Sequence, residues 1–370
     1  MDTQLREGAR VLLTCPDLDR PGGVAQYYSV LREHLSPMVE YFTVGSRKEP
    51  SATFQYIKRV FKDHRTFSER LRCGNYDIVH LNPSLGPKSI IRDGLLLLTA
   101  KKYGKKTVIF MHGWDHSWEK IIRRFFLKLF RFVYFRADSF IVLAAEFREK
   151  LWEMGYRNPV YVETTVVTDD TFLLTKDRNT RIRKTSKDAW VNILCLTRVE
   201  REKGIYEAIE AYNILKSSYP NITLIIAGDG KELNRARKYV RGKNIKNIVF
   251  LGHVTGELKQ RTFLESDIYL FPSYYGEGMP TSVLEAMSYG LPVVTSPVGG
   301  VKDFFEDGRM GFITESRDPK VIAERLERLL RDPELRSRMD TFNREYAEKN
   351  FTASKVAVRI KEIYRNVLAS

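Results

Sequence analysis

The strongest constraint on the fold is a regular alternation of short apolar runs with segments of helix length. The runs are bounded by turn or polar residues, which is typical of buried strands. Helices between successive strands imply a parallel sheet that is covered on both faces. The predicted strands are 10–15, 39–44, 76–81, 106–111 and 139–144 in the first half, and 191–196, 222–228, 247–252, 267–271 and 292–296 in the second.

The segment 175–190 separates the two series of strands. It is charged and has no apolar period, so it is the best candidate for a linker. The length of 370 residues also favours two domains over one. We therefore predict an α/β fold with two doubly wound Rossmann-like domains, residues 1–180 and 181–352, facing each other across a cleft. The tail, 353–370, has an apolar stripe at helical spacing.

Composition narrows the class of protein. Hydrophobic residues make up 43% of the chain, which allows sizeable cores, yet no apolar run is long enough to span a bilayer. The first ten residues do not have the pattern of a signal peptide. Cys15, Cys73 and Cys195 are an odd number without metal-ligand spacing, and Cys15 and Cys195 lie in apolar runs, so a reduced, cytoplasmic protein is expected. No metal or other cofactor is expected.

The positive charge is concentrated in the first half. Of the net +15, residues 1–185 carry +11, with 32 Lys and Arg against 21 Asp and Glu. Such an excess favours a surface that faces a membrane, a nucleic acid or an acidic substrate. The alternative is that the charge serves solubility alone.

The basic aromatic segment 118–138 is a candidate for membrane contact. At helical spacing one face is apolar, and basic residues fall opposite. Leu127, Phe130 and Tyr134 interrupt the basic side, and cations with apolar groups between them suit the interface of an anionic bilayer. The alternative is an ordinary core-packed helix with a solvated basic face. The predicted membrane-contact residues are Arg123, Arg124, Leu127, Lys128, Phe130, Arg131 and Tyr134.

The segment 273–285 predicts a site for a sugar nucleotide. It follows an apolar strand and places Glu277 in a loop and Glu285 in the second turn of a helix. Pro280 is expected at the first helical position. The helix N-terminus between the two carboxylates suits an anion, and carboxylates accept hydrogen bonds from sugar hydroxyls.

Polar groups after other predicted strands complete the candidate site. Arg198 and Lys203 could neutralise a diphosphate and stabilise it as a leaving group, or be ordinary surface charges. His112 could bind a sugar hydroxyl, or be structural. Gly22 and Gly23 permit close backbone approach at a helix start, although a tight turn explains them equally well.

Other motifs do not support a different chemistry. Asp17 and Asp19 have the Asp-x-Asp form of some metal-dependent sugar transferases, but they precede a Pro-Gly-Gly turn. The sequence GDGKEL at 228–233 lacks the third glycine of a dinucleotide fingerprint. No nucleophile triad and no His/Cys cluster with metal spacing stands out. The prediction is a site without metal.

Together these residues resemble a known family. The Glu277-x7-Glu285 spacing, the stretch 286–313 behind it and the pair Arg198 and Lys203 are similar to retaining glycosyltransferases of family four, which have the GT-B fold. The resemblance spans nearly the whole chain and is most specific over 191–315. It implies that the second domain binds the nucleotide sugar, the first binds the acceptor, and the last helix crosses back to the first.

The resemblance also implies roles for individual residues. Glu285 would hold the ribose, and Glu277 would hold the donor sugar. Arg198 and Lys203 would hold the diphosphate, and His112 would lie beside the reacting carbon. The remaining donor-binding residues would be Gly22, Gly23, Gly278, Met279, Pro280 and Thr281.

Two segments depart from the family pattern. The common Gly-Phe-Gly after the first glutamate is here Gly278-Met279-Pro280. Glu163-Thr164-Thr165-Val166 replaces the Pro-Asn-Gly-Val often found before the linker. The second departure affects the expected acceptor side.

The implied reaction is metal-independent transfer of a hexose, with retention, from a UDP- or GDP-sugar. The expected acceptor is a hydroxyl of a lipid-linked saccharide in surface polysaccharide synthesis, reached by a protein peripheral to the cytoplasmic membrane face. One alternative is a nucleotide-sugar epimerase of the same fold. Another is a basic nucleic-acid-binding protein, which charge alone suggests; no nucleic-acid partner is expected.

Overall fold

A computed structural model describes residues 9–20, 22–45, 53–175 and 190–370, without the side chains of 53–57 and 175. The chain forms two compact units. The first comprises Met1–Val166, Gly276–Met279 and Ala353–Ser370, and the second comprises Val167–Tyr275 and Pro280–Thr352. The predicted boundary at residue 180 and most of the predicted linker lie outside the described residues.

The first unit is built on six parallel strands in the order β2-β1-β3-β4-β5-β6. Helices separate most of the strands, and the helix between β4 and β5 contains a π-helical turn at Ile122–Phe126. The elements are β1 (Val11–Cys15), α1 (Gly23–Leu35), β2 (Val39–Thr43), α2 (Thr53–Cys73), β3 (Ile78–Leu81), α3 (Pro87–Lys102), β4 (Lys106–Met111), α4 (His116–Ile121), α5 (Leu127–Tyr134), β5 (Ser139–Val142), α6 (Ala145–Glu153) and β6 (Val160–Val162).

The second unit is also built on six parallel strands, in the order β12-β11-β10-β7-β8-β9. A short 3-10 turn, Arg201–Lys203, leads into its first crossover helix. The elements are α7 (Asp170–Thr175), β7 (Val191–Leu196), α8 (Ile205–Lys216), β8 (Ile222–Ala227), α9 (Leu233–Gly242), β9 (Ile248–Gly252), α10 (Gly256–Leu264), β10 (Ile268–Phe271), α11 (Thr281–Ser288), β11 (Val293–Thr295), β12 (Gly311–Ile313), α12 (Pro319–Arg331) and α13 (Pro333–Asn350). The predicted α/β class with two doubly wound sheets is confirmed.

Local sequence explains where several helices begin. The carboxylate of Asp115 accepts hydrogen bonds from the backbone N–H groups of Ser117 and Trp118, and so caps α4. Asp318 and Asp332 cap α12 and α13 in the same way, each followed by a proline at the first helical position. The central strands β1, β3 and β5 are buried along their full length, as expected for a sheet covered on both faces.

The last helix, α14 (Ala353–Ala369), belongs to the first unit and packs on α1. Its Arg359 forms a two-point ion pair with Glu163, with Nε and Nη2 each 2.9 Å from a carboxylate oxygen. The Glu163 side chain is only 4% exposed. Farther along α14, the Tyr364 hydroxyl lies 2.7 Å from Nδ1 of His80 in β3. Glu163 lies in the segment that departs from the family pattern, and its ion pair with Arg359 holds α14 on the first unit.

The structure corrects the predicted face of the basic aromatic segment. Phe130 and Tyr134, which were expected to contact a membrane, are buried, and Leu127 is half-buried against the core. Phe125, Phe126, Leu129 and Phe132 belong to the apolar face of the helical pattern, yet each is more than half exposed. A π-helical turn has more residues per turn than an α-helix, so it rotates the faces that follow it.

The basic residues of this segment do not behave alike. Arg123 is held in ion pairs with Glu119 and Glu153, at 2.8 and 2.9 Å. Arg131 is exposed in part, but its Nε donates to the carbonyl of Met154. Arg124 and Lys128 are exposed. None of the described helices has the length and apolar character needed to cross a membrane.

We expect Arg359→Met to loosen α14, because it leaves the Glu163 carboxylate buried without its cation. Breaking a buried ion pair from one side costs about 3 kcal/mol. Amide hydrogen exchange in α14 should therefore accelerate by roughly 100-fold, measured by mass spectrometry.

Arg365→Met on the exposed side of the same helix is the matched control and should leave exchange unchanged. Adding Glu163→Gln to Arg359→Met should restore part of the protection, because no charge then remains buried. Equal exchange in Arg359→Met and the unaltered protein would show that the ion pair does not hold this helix.

Candidate functional site

The strand order of the second unit creates a crevice at one edge of its sheet. β7 and β10 are neighbours, but the chain continues from β7 to β8 on one side and from β10 to β11 on the other. The loops that follow β7 and β10 therefore diverge at the carboxyl edge of the sheet. Open parallel sheets bind ligands at such a switch point. These loops carry Arg198, Lys203 and Glu277.

The loop after β7 places its two cations differently. Arg198 is 63% exposed and lies 3.2 Å from a carboxylate oxygen of Glu200. Lys203 is only 4% exposed, and its Nζ lies 4.8 Å from the centre of the Tyr275 ring. A lysine is seldom buried so completely. Lys203 is thus the fixed cation of this loop, whereas Arg198 lies in solvent.

Close backbone contacts hold the loops at the switch point together. The N–H of Tyr274, after β10, donates to the carbonyl of Glu202, after β7, at 3.0 Å. Gly204 has φ of 74°, and a side chain there would collide with the carbonyl of Pro272. Only glycine fits both the left-handed backbone and this approach.

The GDG sequence after β8 also serves close packing. Gly228 has φ of 142°, and a Cβ atom there would overlap the carbonyl of Thr197. The N–H of Val199 donates to the carbonyl of Asp229 at 2.9 Å. These contacts brace the loop that bears Arg198 and Lys203.

The second carboxylate lies on α11. This helix begins at Thr281, and Pro280 is its N-cap residue, one position before the predicted place. Its first turn has no acidic residue and no side-chain cap, so backbone N–H groups remain available to an anion. Glu285 lies in the second turn, 2.6 Å from Nζ of Lys259.

The loop between β10 and α11 contains Glu277. Glu277 is half-buried, whereas Gly278 and Met279 are buried. The segment Gly276–Met279 belongs to the first unit, where Gly278 lies against the carbonyl of His112. Glu277 and His112 are thus carried by backbone segments that pack together.

The first unit has its own switch point between β1 and β3. The loop after β1 ends in Gly22 and Gly23, where α1 starts without a side-chain cap. A Cβ atom at either glycine would meet nothing within 4 Å, so both glycines face open space. Neither needs a backbone conformation that other residues avoid.

His112 follows β4 and is held by a residue that the sequence did not single out. Its Nε2 lies 2.9 Å from Oδ1 of Asn82, which directly follows β3. Because an amide oxygen only accepts hydrogen bonds, Nε2 is the protonated nitrogen. Burial, together with neighbouring His80, lowers the pKa of His112 to about 3. The imidazole is therefore neutral near pH 7, with Nδ1 as an acceptor.

A chain of buried and half-buried hydrogen bonds holds Asn82 in place in turn. Its Nδ2 donates to the carbonyl of Thr14 at 2.6 Å, and its Oδ1 accepts from the hydroxyl of Tyr28 at 2.7 Å. Tyr28 then accepts from Nε2 of His80 at 3.1 Å. The chain runs on from His80 to Tyr364 of α14. A polar residue directly after a switch-point strand was the only available signal for Asn82.

Other titratable groups do not form a second centre. Among the residues that the structure describes, no three His, Cys, Asp or Glu side chains form a group that could hold a metal. The carboxylate of Asp17 accepts from the N–H of Asp19 at 3.2 Å, which is a turn contact. Burial raises the pKa of the Cys15 and Cys195 thiols to about 12, so neither is a thiolate near neutral pH.

Comparison with known proteins identifies the family. Residues 4–167 match the family model Glycosyltransferase Family 4, and residues 177–346 match the model Glycosyl transferases group 1. The chain belongs to the group 1 glycosyltransferases. The two matches together cover most of both units.

Individual relatives align over part of their length. The capsular polysaccharide biosynthesis glycosyltransferase CapM of Staphylococcus aureus is 28% identical over 173 residues, which are 46% of this chain and 45% of CapM. A phosphatidyl-myo-inositol mannosyltransferase of Mycobacterium leprae is 30% identical over 171 residues, 46% of this chain and 45% of that protein. The matched part is thus less than half the length of either relative.

Solved structures share the fold over the whole chain. Anabaena HepE in complex with UDP and glucose has a TM-score of 0.71 and 17% identity, covering 97% of this chain and 100% of HepE. The sucrose-phosphate synthase of Thermosynechococcus elongatus has a TM-score of 0.75 and 17% identity, covering 98% and 100%. This chain therefore has the GT-B fold.

The buried histidines predict a pH dependence of stability. The pKa of His80 is lowered by burial to about 3, whereas an unfolded histidine titrates near 6.5. Between pH 6.5 and 3 the histidine is therefore protonated in the unfolded state but neutral in the folded state. The free energy of unfolding has its full value above pH 6.5. It falls as the pH decreases toward 3, by up to about 1.4 kcal/mol per pH unit for this group.

Denaturant unfolding between pH 7 and 5 should reveal this slope. Trp190→Phe leaves only the tryptophans of the first unit, so fluorescence then reports that unit. His80→Gln should reduce the slope in this background, and His112 accounts for the part that remains. An equally steep slope in His80→Gln would mean that His80 does not contribute.

Proposed function

We propose that this protein transfers a hexose from a nucleoside diphosphate sugar to a saccharide hydroxyl, with retention of configuration. The observation that carries the proposal is the switch point of the second unit. There the buried cation Lys203, the uncapped N-terminus of α11 and the carboxylate of Glu285 lie on adjoining loops and helices.

Lys203 and the α11 N-terminus suit the diphosphate. A cation held in a fixed place and a set of backbone N–H groups stabilise charge that develops on a leaving group. Arg198, being exposed, would add its charge when the donor displaces Glu200 from it. Fixed positive groups would perform the part that a metal ion has in other transferases.

The two carboxylates suit the hydroxyls of the donor. Glu285 would accept hydrogen bonds from the ribose hydroxyls, while its ion pair with Lys259 keeps the carboxylate in place. Glu277 would accept from the sugar, with the backbone of Gly278 to Thr281 beside it. Gly22 and Gly23 would leave room for the phosphates at the start of α1.

His112 suits the sugar beside the reacting carbon. A neutral imidazole whose Nε2 is engaged by Asn82 offers Nδ1 as an acceptor for a sugar hydroxyl. The bond from the anomeric carbon to the diphosphate breaks first, and the diphosphate keeps the electron pair. The acceptor oxygen then bonds on the same face and gives its proton to a departing phosphate oxygen.

The acceptor is proposed to be a lipid-linked saccharide in surface polysaccharide assembly, at the cytoplasmic face of an anionic membrane. The names of CapM and the mannosyltransferase connect the family with capsular polysaccharide and with phosphatidyl-myo-inositol. The exposed aromatic and basic side chains after α4 also support a membrane surface as partner.

We expect Lys203→Met to lower kcat by about 10²–10³, because removal of one fixed group that stabilises the leaving charge has effects of that size. Glu277→Gln should mainly lower kcat/KM for the donor, because the hydroxyls of the donor sugar would lose their carboxylate acceptor. The measurement is release of nucleoside diphosphate with UDP- and GDP-sugars and a panel of lipid-linked acceptors, with mass spectrometry of the product.

Lys231→Met and Glu257→Gln change exposed residues of the same unit and are the matched controls, which should stay within about twofold. Titration with UDP or GDP separates loss of binding from loss of turnover. Unaltered turnover in Lys203→Met would remove its assigned role. Nucleoside diphosphate release without acceptor, or a donor epimer as the product, would favour the epimerase instead.

A further inference from the structure

An apolar groove runs across the first unit between α3 and the helical segment 118–134. Its volume is about 540 Å³, within the range of roughly 300–1,000 Å³ typical of small-molecule sites. Aliphatic side chains form one wall and mostly aromatic ones the other. Its lining includes Ile91, Leu95 and Leu98 of α3 and, on the opposite wall, Phe126, Leu129 and Phe132.

The lining is open to solvent although it is apolar. Ile91 is 68% exposed, and Leu129 and Phe132 are each 59% exposed. The hydroxyl of Tyr134, at the floor of the groove, already donates to the carbonyl of Ile90 at 2.7 Å. The groove therefore offers apolar contact rather than hydrogen bonds, and exposed apolar surface of this kind marks a binding site.

The acidic residues of both walls point inward. Asp93 is the sole acid between residues 87 and 102, and it is buried in an ion pair with Arg92 at 2.7 Å. Glu119 is the sole acid between 116 and 137, and it is buried against Lys150 at 2.9 Å. Burial raises the pKa of Glu119, but hydrogen bonds from Lys150 and Trp114 outweigh this effect and lower that pKa below its ordinary value. The outward charges of both walls are consequently basic.

Cations stand at the rim of the groove. Lys128 precedes Phe132 by one helical turn, Arg136 lies just beyond the end of α5, and both are exposed. The guanidinium of Arg136 lies 4.4 Å from the centre of the Phe132 ring. A ligand with a hydrocarbon part in the groove would therefore bring its head next to positive charge.

We propose that the groove holds one hydrocarbon chain of an anionic phospholipid, with the phosphate of that lipid against Lys128 and Arg136. This deepens the membrane contact of the proposed function and does not depend on sugar transfer. An extended peptide in the groove would leave its backbone N–H and C=O groups without partners. A second copy of this chain would bring the same positive rim and be repelled. A lipid matches both the apolar lining and the charge.

The test uses the full chain with vesicles of phosphatidylglycerol that carries bromine midway along its acyl chains. Trp118 lines the groove, so the brominated lipid should quench its fluorescence more than the unbrominated lipid does. Trp118→Phe should remove most of that difference. Lys128→Glu with Arg136→Glu should weaken binding to these vesicles by at least about 30-fold, because each cation near the surface contributes about 1 kcal/mol and 1.4 kcal/mol is a factor of ten.

Matched variants separate a chain in the groove from simple insertion of apolar side chains. Leu129→Ser with Phe132→Ser alters the groove lining, whereas Phe125→Ser alters an apolar residue that is 67% exposed but outside the lining. Only the first should abolish the excess quenching. Leu95→Phe should also reduce it by filling the groove, although it adds apolar surface.

Several results would overturn the proposal. One is an equal loss of excess quenching in Phe125→Ser and in Leu129→Ser with Phe132→Ser. Another is stronger quenching in Leu95→Phe. Both indicate that apolar side chains insert into the interface without an occupied groove. Absence of excess quenching with phosphatidylglycerol, or a dimer in sedimentation that Leu129→Ser with Phe132→Ser dissociates, would assign the groove to something else. Vesicle binding is read without any sugar donor, so failure of transfer leaves this test intact.

Discussion

Parallel pairing of the strands is the constraint on which the rest of this structure depends. Parallel neighbours cannot be joined by a tight turn, so each connection crosses the sheet and every strand ends at the same edge. In the second unit this puts the loops after β7 and β10 side by side, although about 70 residues separate them along the chain. The proximity of buried Lys203 to Tyr275 follows from that arrangement rather than from local sequence.

Much of the fold could be predicted, because buried parallel strands leave strong apolar runs. β6 and β12 were missed: each has three residues and is not buried along its full length, whereas the equally short β11 is buried throughout. Lys203 and Glu277 could be singled out because each lies beside a glycine in a loop after a strand, Arg198 because it lies in the same loop as Lys203, and Glu285 because of its spacing from Glu277. Their burial and partners could not, because Lys259 reaches Glu285 from a different helix.

Tertiary contacts explain the remaining differences. Asn82, Tyr28 and His80 matter to His112 only because β1, β3 and β4 are neighbours in the sheet. Helical periodicity placed Phe130 on the wrong side because it assumes one uniform helix. The π-helical turn at Ile122–Phe126 breaks that assumption, and a single sequence gives little sign of it.

The last helix gives the first unit a discontinuous composition. Its 17 residues carry Arg359 and Tyr364, the partners of Glu163 and His80, and they come after the whole second unit in the chain. During synthesis the first unit therefore stays incomplete until residues 353–369 have left the ribosome. Until then the α1 face and two buried polar groups lack their partners, so the first unit completes its fold only after the second unit has been made.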